Sequence, residues 1–333
     1  MLVTIGSFDG FHKGHYELLN ICARNSINND WAVISFSPHP AEYLRKIKHS
    51  LFSLNERELI RQFLNVPNIF VLRFDEALKN LTPLEFWQLI REKFNVDGLV
   101  MGSDFHFGRD NSGSAETLKQ LAESDGINKI FIAELLQKNI YSSSLARKKI
   151  YQGDIDGVNK ILGYPFFMIG EVIAGNQRGR TMNYPTANLK IPANKIVPSY
   201  GVYSVAVIVN GKFYPGALSI SNNPTFKDVN ETRIEAHILD FTGNIYNQEI
   251  IIFFLDRVRD IKIFPDKDSL MTQINNDVLE CRKIYDSAIK DFDTKNFLER
   301  SREIYANNKS LQPEIIDFAF AAINGSNQKG FCL

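Results

Sequence analysis

Val3-Thr-Ile-Gly-Ser-Phe-Asp-Gly-Phe-His-Lys-Gly-His15 follows on from Leu2 in an apolar run, Leu2 to Ile5, of the kind that forms a buried strand. Gly6, Asp9 and Gly10 break the run. His15 then opens an amphipathic pattern with Leu18, Leu19, Cys22 and Ala23 on one helical face. Strand, glycine-punctuated turn and helix N-terminus make an anion-binding corner, because free N–H groups and the positive end of the helix dipole converge there. His12 and His15 flank Gly14, which has no side chain, so a polyphosphate can lie against the backbone while two ring N–H groups grip its oxygens. Two of the chain's six histidines fall in this stretch. The residues alone also admit a plainer reading, two surface histidines beside an ordinary turn.

Outward from this corner, short apolar runs alternate with helical patterns, the mark of an α/β fold with a parallel sheet. Strands are expected at Ala32–Phe36, Ile69–Leu72, Gly98–Met101 and Lys129–Ile132, and helices at Asn55–Leu64 and Pro83–Phe94. Ligands of such sheets bind beyond the carboxyl ends of the strands. The segments in that position are Ser7–His15, Ser37–Pro40, Gly102–Gly113 and Tyr141–Arg147. Pro38 and Pro40 read either as a strand-ending turn or as a rigid wall against a planar ring. Phe105 and Phe107 offer flat apolar faces, and Asp104 an acceptor beside them.

Near residue 160 the pattern changes to closely spaced strands: Phe166–Ala174, Ala187–Ile191, Gly201–Val209, Phe213–Ser219, Thr232–Phe241 and Glu249–Leu255. Asn210-Gly211 is a two-residue hairpin turn, and six strands at this spacing suggest a small closed β-barrel. A helix over Asp268–Tyr285 places Leu270, Ile274, Val278, Cys281 and Tyr285 on one apolar face against it. The reading is three segments: residues 1–160, residues 161–285, and a helical extension, 286–333, with helices at Thr294–Ala306 and Pro313–Asn324.

Within the barrel, Gly175-Asn-Gln-Arg-Gly-Arg180 is an N–H-rich loop with arginines, and Pro185-Thr-Ala-Asn188 sets a hydroxyl and an amide beside it, suited to a magnesium ion and a phosphate oxygen. In Arg233-Ile-Glu-Ala-His-Ile-Leu-Asp240, strand alternation turns Ile234, Ala236 and Ile238 one way and Glu235 and His237 the other. Glu235 is then either a solvent-facing carboxylate or a base for a hydroxyl nucleophile.

The chain has 333 residues with 38 basic and 38 acidic side chains, a balance that argues against a broad nucleic-acid or acidic-membrane partner. Cys22, Cys281 and Cys332 lie too far apart in sequence for a disulfide framework or a metal site. No apolar run approaches a membrane span, and a strand stands where a leader would, so a soluble cytoplasmic protein is expected.

Phe8-Asp-Gly-Phe-His-Lys-Gly-His15 resembles the H-x-G-H signature of the nucleotidyltransferase superfamily. Its longer form is similar to that of the bacterial bifunctional riboflavin kinase/FAD synthetases. Gly102-Ser-Asp-Phe-His-Phe-Gly108 resembles that family's G-x-D-F-x-F-G loop, and Tyr141-Ser-Ser-Ser-Leu-Ala-Arg147 its I-S-S-T-R-I-R motif. Gly175 to Asn188 resembles the kinase motif G-R-x-x-x-x-P-T-A-N, and Asn223-Pro-Thr-Phe226 its N-P-T-F segment.

The resemblance implies a Rossmann-like nucleotidyltransferase domain followed by a six-stranded riboflavin kinase barrel. It implies that Glu235, His12, His15 and Arg147 carry catalysis. Gly6, Phe8, Asp9, Gly14, Ser142, Ser143, Gly175, Arg178, Gly179 and Arg180 would hold nucleotide, and Pro38, Pro40, Asp104, Phe105 and Asn188 flavin. Thr186 and Asn188 would hold Mg2+. The implied reactions are ATP-dependent phosphorylation of riboflavin to FMN, and adenylylation of FMN by ATP to FAD and pyrophosphate. The expected partners are therefore riboflavin, FMN and ATP, with no nucleic acid and no membrane; the extension is a candidate for homo-oligomer formation.

Four positions depart from the pattern: Asn111 and Leu145 where arginines are usual, Asn183 for a glycine, and Ile261 for an acidic residue in Val258–Phe264. Lys148 and Lys149 are candidates to replace the charge lost at 145. Two alternatives stay open on these residues: a riboflavin kinase with a degenerate FAD synthetase module, and a non-enzymatic flavin-sensing protein.

Overall fold

Buried β-branched and aromatic runs bounded by polar turns become a parallel sheet in the first half of the chain. The structure is a computed structural model and describes residues 1–134, 140–175, 184–222, 232–307 and 315–316. The strands are β1 (Leu2–Ile5), β2 (Trp31–Ser37), β3 (Asn68–Arg73), β4 (Gly98–Gly102), a short hairpin of β5 (His106–Phe107) and β6 (Gly113–Ser114), and β7 (Lys129–Ala133). Their order is β3-β2-β1-β4-β7, so β1 is central and its loop sits mid-edge. Thr4 lies opposite both Val33 and Val100.

Helices α1 (Lys13–Asn25), α2 (Pro40–Tyr43), α3 (Leu54–Phe63), α4 (Glu76–Lys79), α5 (Pro83–Phe94) and α6 (Ala115–Ser124) connect the strands. Ser53 with Glu56 and Thr82 with Glu85 form capping boxes that fix the starts of α3 and α5. Helices α7 (Ser143–Gln152) and α8 (Ile155–Leu162) lead to the second half.

That half is a closed antiparallel barrel of β8 (Phe167–Ile173), β9 (Ala187–Lys190), β10 (Gly201–Val209), β11 (Lys212–Asn222), β12 (Thr232–Ile238) and β13 (Glu249–Arg259), in the order β10-β11-β12-β9-β8-β13. Asn210 and Gly211 both have positive φ, as the tight β10–β11 turn requires. Helix α9 (Lys267–Ala288) packs on β10, β11 and β13, with Cys281 buried and the Ser204 hydroxyl donating to its carbonyl at 2.9 Å.

Sheet and barrel share one hydrophobic cluster. At their joint Lys195 is wholly buried beside Glu56, 3.0 Å away, and sits over the rings of Phe52 and Phe166 at 4.1 and 4.4 Å. The Glu56 carboxylate also accepts the Ile169 N–H at 2.8 Å, while the Tyr164 hydroxyl donates to the Gly10 carbonyl.

The extension corrects one expectation and extends another. Helix α10 (Phe292–Asn307) covers the expected 294–306. It packs on α3 and drives Phe297 into the joint against Phe63, Tyr164, Phe167 and Phe253. The second expected helix, 313–324, is overturned at β14 (Ile315–Ile316), a strand that pairs in parallel with Val71 and Leu72 at the β3 edge. A short β-branched pair beside open strand N–H and C=O groups gains a ladder that a lone helical turn lacks. The rest of that segment lies outside the described residues.

Phe297→Ala should lower the free energy of unfolding by about 3–5 kcal/mol, read by urea denaturation, because it empties a site that four aromatic rings close.

Candidate active sites

The β1 loop builds the first site. A Cβ on Gly14 would stand 2.8 Å from the Tyr141 carbonyl and 3.0 Å from the His12 ring, so only glycine lets α1 and the 141–147 segment approach. The His12 and His15 rings stack at 3.8 Å, and Phe8 lies 4.7 Å from His15. Burial pushes His12 down to about 4, more than the Asp9 carboxylate raises it, and drives His15 well below its ordinary value. At neutral pH both rings are therefore uncharged N–H donors. The Nδ1 atoms of both have no hydrogen-bond partner.

A cleft of about 700 Å³ opens beyond the carboxyl ends of the strands. It gathers Gly6, Phe8, His15, Pro40, Asp104 and Phe105 from the sequence-predicted set, and Lys46 and Arg109 stand on its lining. Pro38, after a cis Ser37–Pro38 bond, does not line it. Ser142 caps α7 by accepting the Leu145 N–H at 3.2 Å, and the Ser143 hydroxyl donates to the Asp9 carbonyl at 3.1 Å.

Arg147 and Asp9 stand apart from the open cleft: they form a buried ion pair with each other. Asp9 also accepts the Leu51 N–H, and Arg147 donates to the His49 carbonyl at 3.2 Å. Leu145 packs against the core, and Lys149 is tied to Asp154 at 2.6 Å.

The second site lies on the outside of the barrel, where a cavity of about 620 Å³ separates β11 and β12 from α9 and residues 259–267. Strand β12 alternates as expected, with Ile234, Ala236 and Ile238 buried and Glu235 and His237 partly open. Glu235 and Thr186 both line the cavity. Asn188 sits opposite Glu235 in the β12–β9 pairing, and a Cβ on Gly175 would fall 2.0 Å from its amide nitrogen, so glycine is required there too. Arg178, Gly179, Arg180, Asn183 and Asn223–Phe226 lie outside the described residues.

Sequence reasoning missed several neighbours. Arg233 pairs with Glu235 at 3.1 Å and donates to the side-chain amide oxygen of Asn188 at 3.3 Å; alternation from Glu235 would have found it. His237 holds the Pro185 carbonyl at 2.9 Å through Nδ1. Arg259 is clamped to Asp277 of α9 by bonds of 2.6–3.0 Å. Leu270, Ile274 and Val278, on the α9 face read as lying against the barrel, also line the cavity. Periodicity shows which face of a helix is apolar, and a ligand-sized space satisfies that face as well as a strand does.

The chain thus carries two separate sites, a cleft with a buried histidine pair at the corner of a parallel sheet and a cavity with a carboxylate on the outside of a barrel. The family comparisons give the particular case. Residues 1–145 match the FAD synthetase family model and 162–285 the riboflavin kinase model. The bifunctional riboflavin kinase/FMN adenylyltransferase of Buchnera aphidicola subsp. Acyrthosiphon pisum is 32% identical over 292 residues, 85% of this chain and 93% of its own. That of Listeria monocytogenes is 31% identical over 291 residues, 85% and 92%. A solved structure described as a macrolide-efflux protein from Streptococcus pneumoniae superposes with a TM-score of 0.72 at 32% identity, covering 84% of this chain and 93% of that one. The efflux description belongs to that protein; among the described residues here no helix is long and apolar enough to cross a membrane. The chain belongs to the bifunctional riboflavin kinase/FMN adenylyltransferase family.

Stability should fall as the pH drops from about 6.5 towards 4, since the unfolded chain then binds protons at His12, His15 and His39 that burial denies the folded chain. Urea unfolding of His12→Asn across that window should give a shallower loss than the wild type.

Proposed function

We propose that both halves turn over: the barrel phosphorylates riboflavin with ATP, and the sheet domain joins the resulting FMN to AMP from a second ATP. The observation that carries the first reaction is the convergence of Glu235 and Thr186 on a cavity whose α9 wall is Leu270, Ile274 and Val278. The isoalloxazine ring takes the apolar wall and the ribityl chain runs to Glu235. Glu235 accepts the proton of the 5′-hydroxyl as its oxygen bonds to the γ-phosphorus and the bond to ADP breaks. Arg233 and Asn188 hold the carboxylate end of this site.

The donors at the phosphate end are a hydroxyl and an amide, and no cluster of three His, Cys, Asp or Glu ligands exists among the described residues. That set fits Mg2+, which takes most of its ligands from phosphate and water. Thr186 and Asn188 would hold the ion, which when bound neutralises phosphate charge.

In the cleft, an oxygen of the FMN phosphate bonds to the α-phosphorus of ATP and pyrophosphate leaves. That nucleophile is already ionised, so no base is needed. Positioning and charge supply the rate. His12 and His15 donate uncharged N–H groups, Phe105 and Pro40 flank the flavin, and Arg147 acts through Asp9 to hold the 51–52 backbone against the corner.

The purified chain, given riboflavin, Mg-ATP and pyrophosphatase, should yield FMN and then FAD on chromatographic separation. Glu235→Gln should cut FMN formation by about 10²–10⁴ and spare FAD formation from supplied FMN. His12→Ala should do the reverse. FMN that accumulates without FAD in the wild type at long times counts against the second reaction.

A further inference from the structure

Adenylyl transfer crowds the FMN phosphate and the ATP triphosphate into one cleft, so the protein must answer several negative charges there. The groups at the corner do not do so. His12 and His15 are neutral at working pH, Arg147 is spent on Asp9, and Lys149 on Asp154. Positions 111 and 145 are Asn and Leu. Lys46, Lys79 and Arg109 line the cleft, but Lys46 and Arg109 are exposed, where water and salt screen them, and Lys79 is paired with Glu76 at 2.9 Å.

One cation beneath the cleft is placed differently. Arg57 of α3 is buried, with 5% of its surface exposed. Its Nη1 donates to the Ser35 hydroxyl at 3.1 Å and to the carbonyls of Phe36 and Ser7 at 3.3 and 3.5 Å. Its Nη2 donates to the same Phe36 carbonyl at 3.3 Å. The Ser35 hydroxyl in turn donates to the Ser7 carbonyl at 2.8 Å. Ser7 and Phe36 both line the cleft, one from the β1 loop and one from the end of β2. The guanidinium therefore lies directly under two of the cleft's walls.

All of these partners are neutral oxygens. Nε has no partner, and no carboxylate among the described residues hydrogen-bonds the group. Asp9 and Glu42 lie within Coulombic reach. Asp9 is committed to Arg147 and the Leu51 N–H, and Glu42 accepts the Ser50 hydroxyl at 2.8 Å. A guanidinium keeps its proton in proteins, and a buried charge without a direct counter-ion is costly. An anion in the cleft is the partner that completes it.

We infer that Arg57 is a positioning residue for adenylyl transfer: it pins the Ser7 and Phe36 loops and supplies the buried positive charge that holds the substrate phosphates. This rests on the adenylyl-transfer reading above. It accounts for how the cleft works with Asn111 and Leu145 in place of arginines.

Arg57→Met keeps the length of the side chain and removes the charge; Arg57→Lys keeps the charge and loses the fork. Both full-length variants are assayed beside the wild type for FMN formation from riboflavin and FAD formation from FMN. Arg57→Met should form FMN at the wild-type rate and lose about 10²-fold in kcat/KM for FAD, largely through KM for FMN and ATP. Arg57→Lys should recover at least about tenfold of that loss. A methionine variant within about threefold of wild type overturns the inference, and so do methionine and lysine variants equally impaired, since charge is then not what matters. Urea unfolding of each full-length variant reports folding of the sheet domain that holds Arg57, and FMN formation that of the barrel. Where Arg57→Met fails either test, a lysine variant that forms FMN but no FAD overturns the inference, and one that forms both supports it. A wild type that makes no FAD overturns the adenylyl-transfer reading and this inference with it.

Discussion

The buried Glu56–Lys195 pair is the contact on which the arrangement of the two halves depends. Glu56 serves three structures at once: it caps α3 through the Ser53 N–H at 2.7 Å, accepts the backbone N–H of Ile169 in β8, and neutralises Lys195. Lys195 answers by donating to the carbonyls of Leu51 and Phe167, one on each side of the joint. Burial pushes the Lys195 ammonium down, and Glu56 opposes that push. A pair this deep gives little net stability over a hydrophobic one, yet removing one partner strands a charge and costs about 3–5 kcal/mol. Its value is geometric. Two apolar surfaces can slide over one another, whereas a caged ion pair with named carbonyls allows one docking.

Both sites depend on that docking in different ways. The corner that holds His12 and His15 is braced from the barrel side, since Tyr164 reaches the Gly10 carbonyl and Tyr16 donates to Leu162 at 3.1 Å. The kinase cavity faces away from the joint and is assembled from the barrel's outer surface, α9 and the Arg259–Asp277 clamp. One site is thus stiffened by the contact between halves, and the other is independent of it.

Much of this was legible in the sequence because the signals are local. Apolar runs closed by Gly6, Ser37-Pro38 and Gly102 mark strand ends, and Asn210-Gly211 marks a hairpin through its positive φ angles. Glu235 and His237 could be assigned to a face because a strand has a period of two. What stayed hidden are pairings between distant residues. Nothing in the sequence near Arg147 announces that its charge is matched by Asp9, 138 residues away. Nor does the pattern of α3 mark Arg57 as buried: a charged residue in a helix's first turns reads as solvent-facing until the strands beside it are known. The β14 pair is too short for any periodicity to register.

That pair has a consequence for how the chain is made. The sheet has its β3 edge covered by Ile315 and Ile316, which leave the ribosome after every strand of the sheet and the barrel. Until they do, the edge presents unpaired backbone groups, the feature that recruits neighbouring strands and favours aggregation. The sheet domain can assemble early, but it is sealed only once the barrel has also been made. Closure of that edge therefore follows synthesis of the barrel.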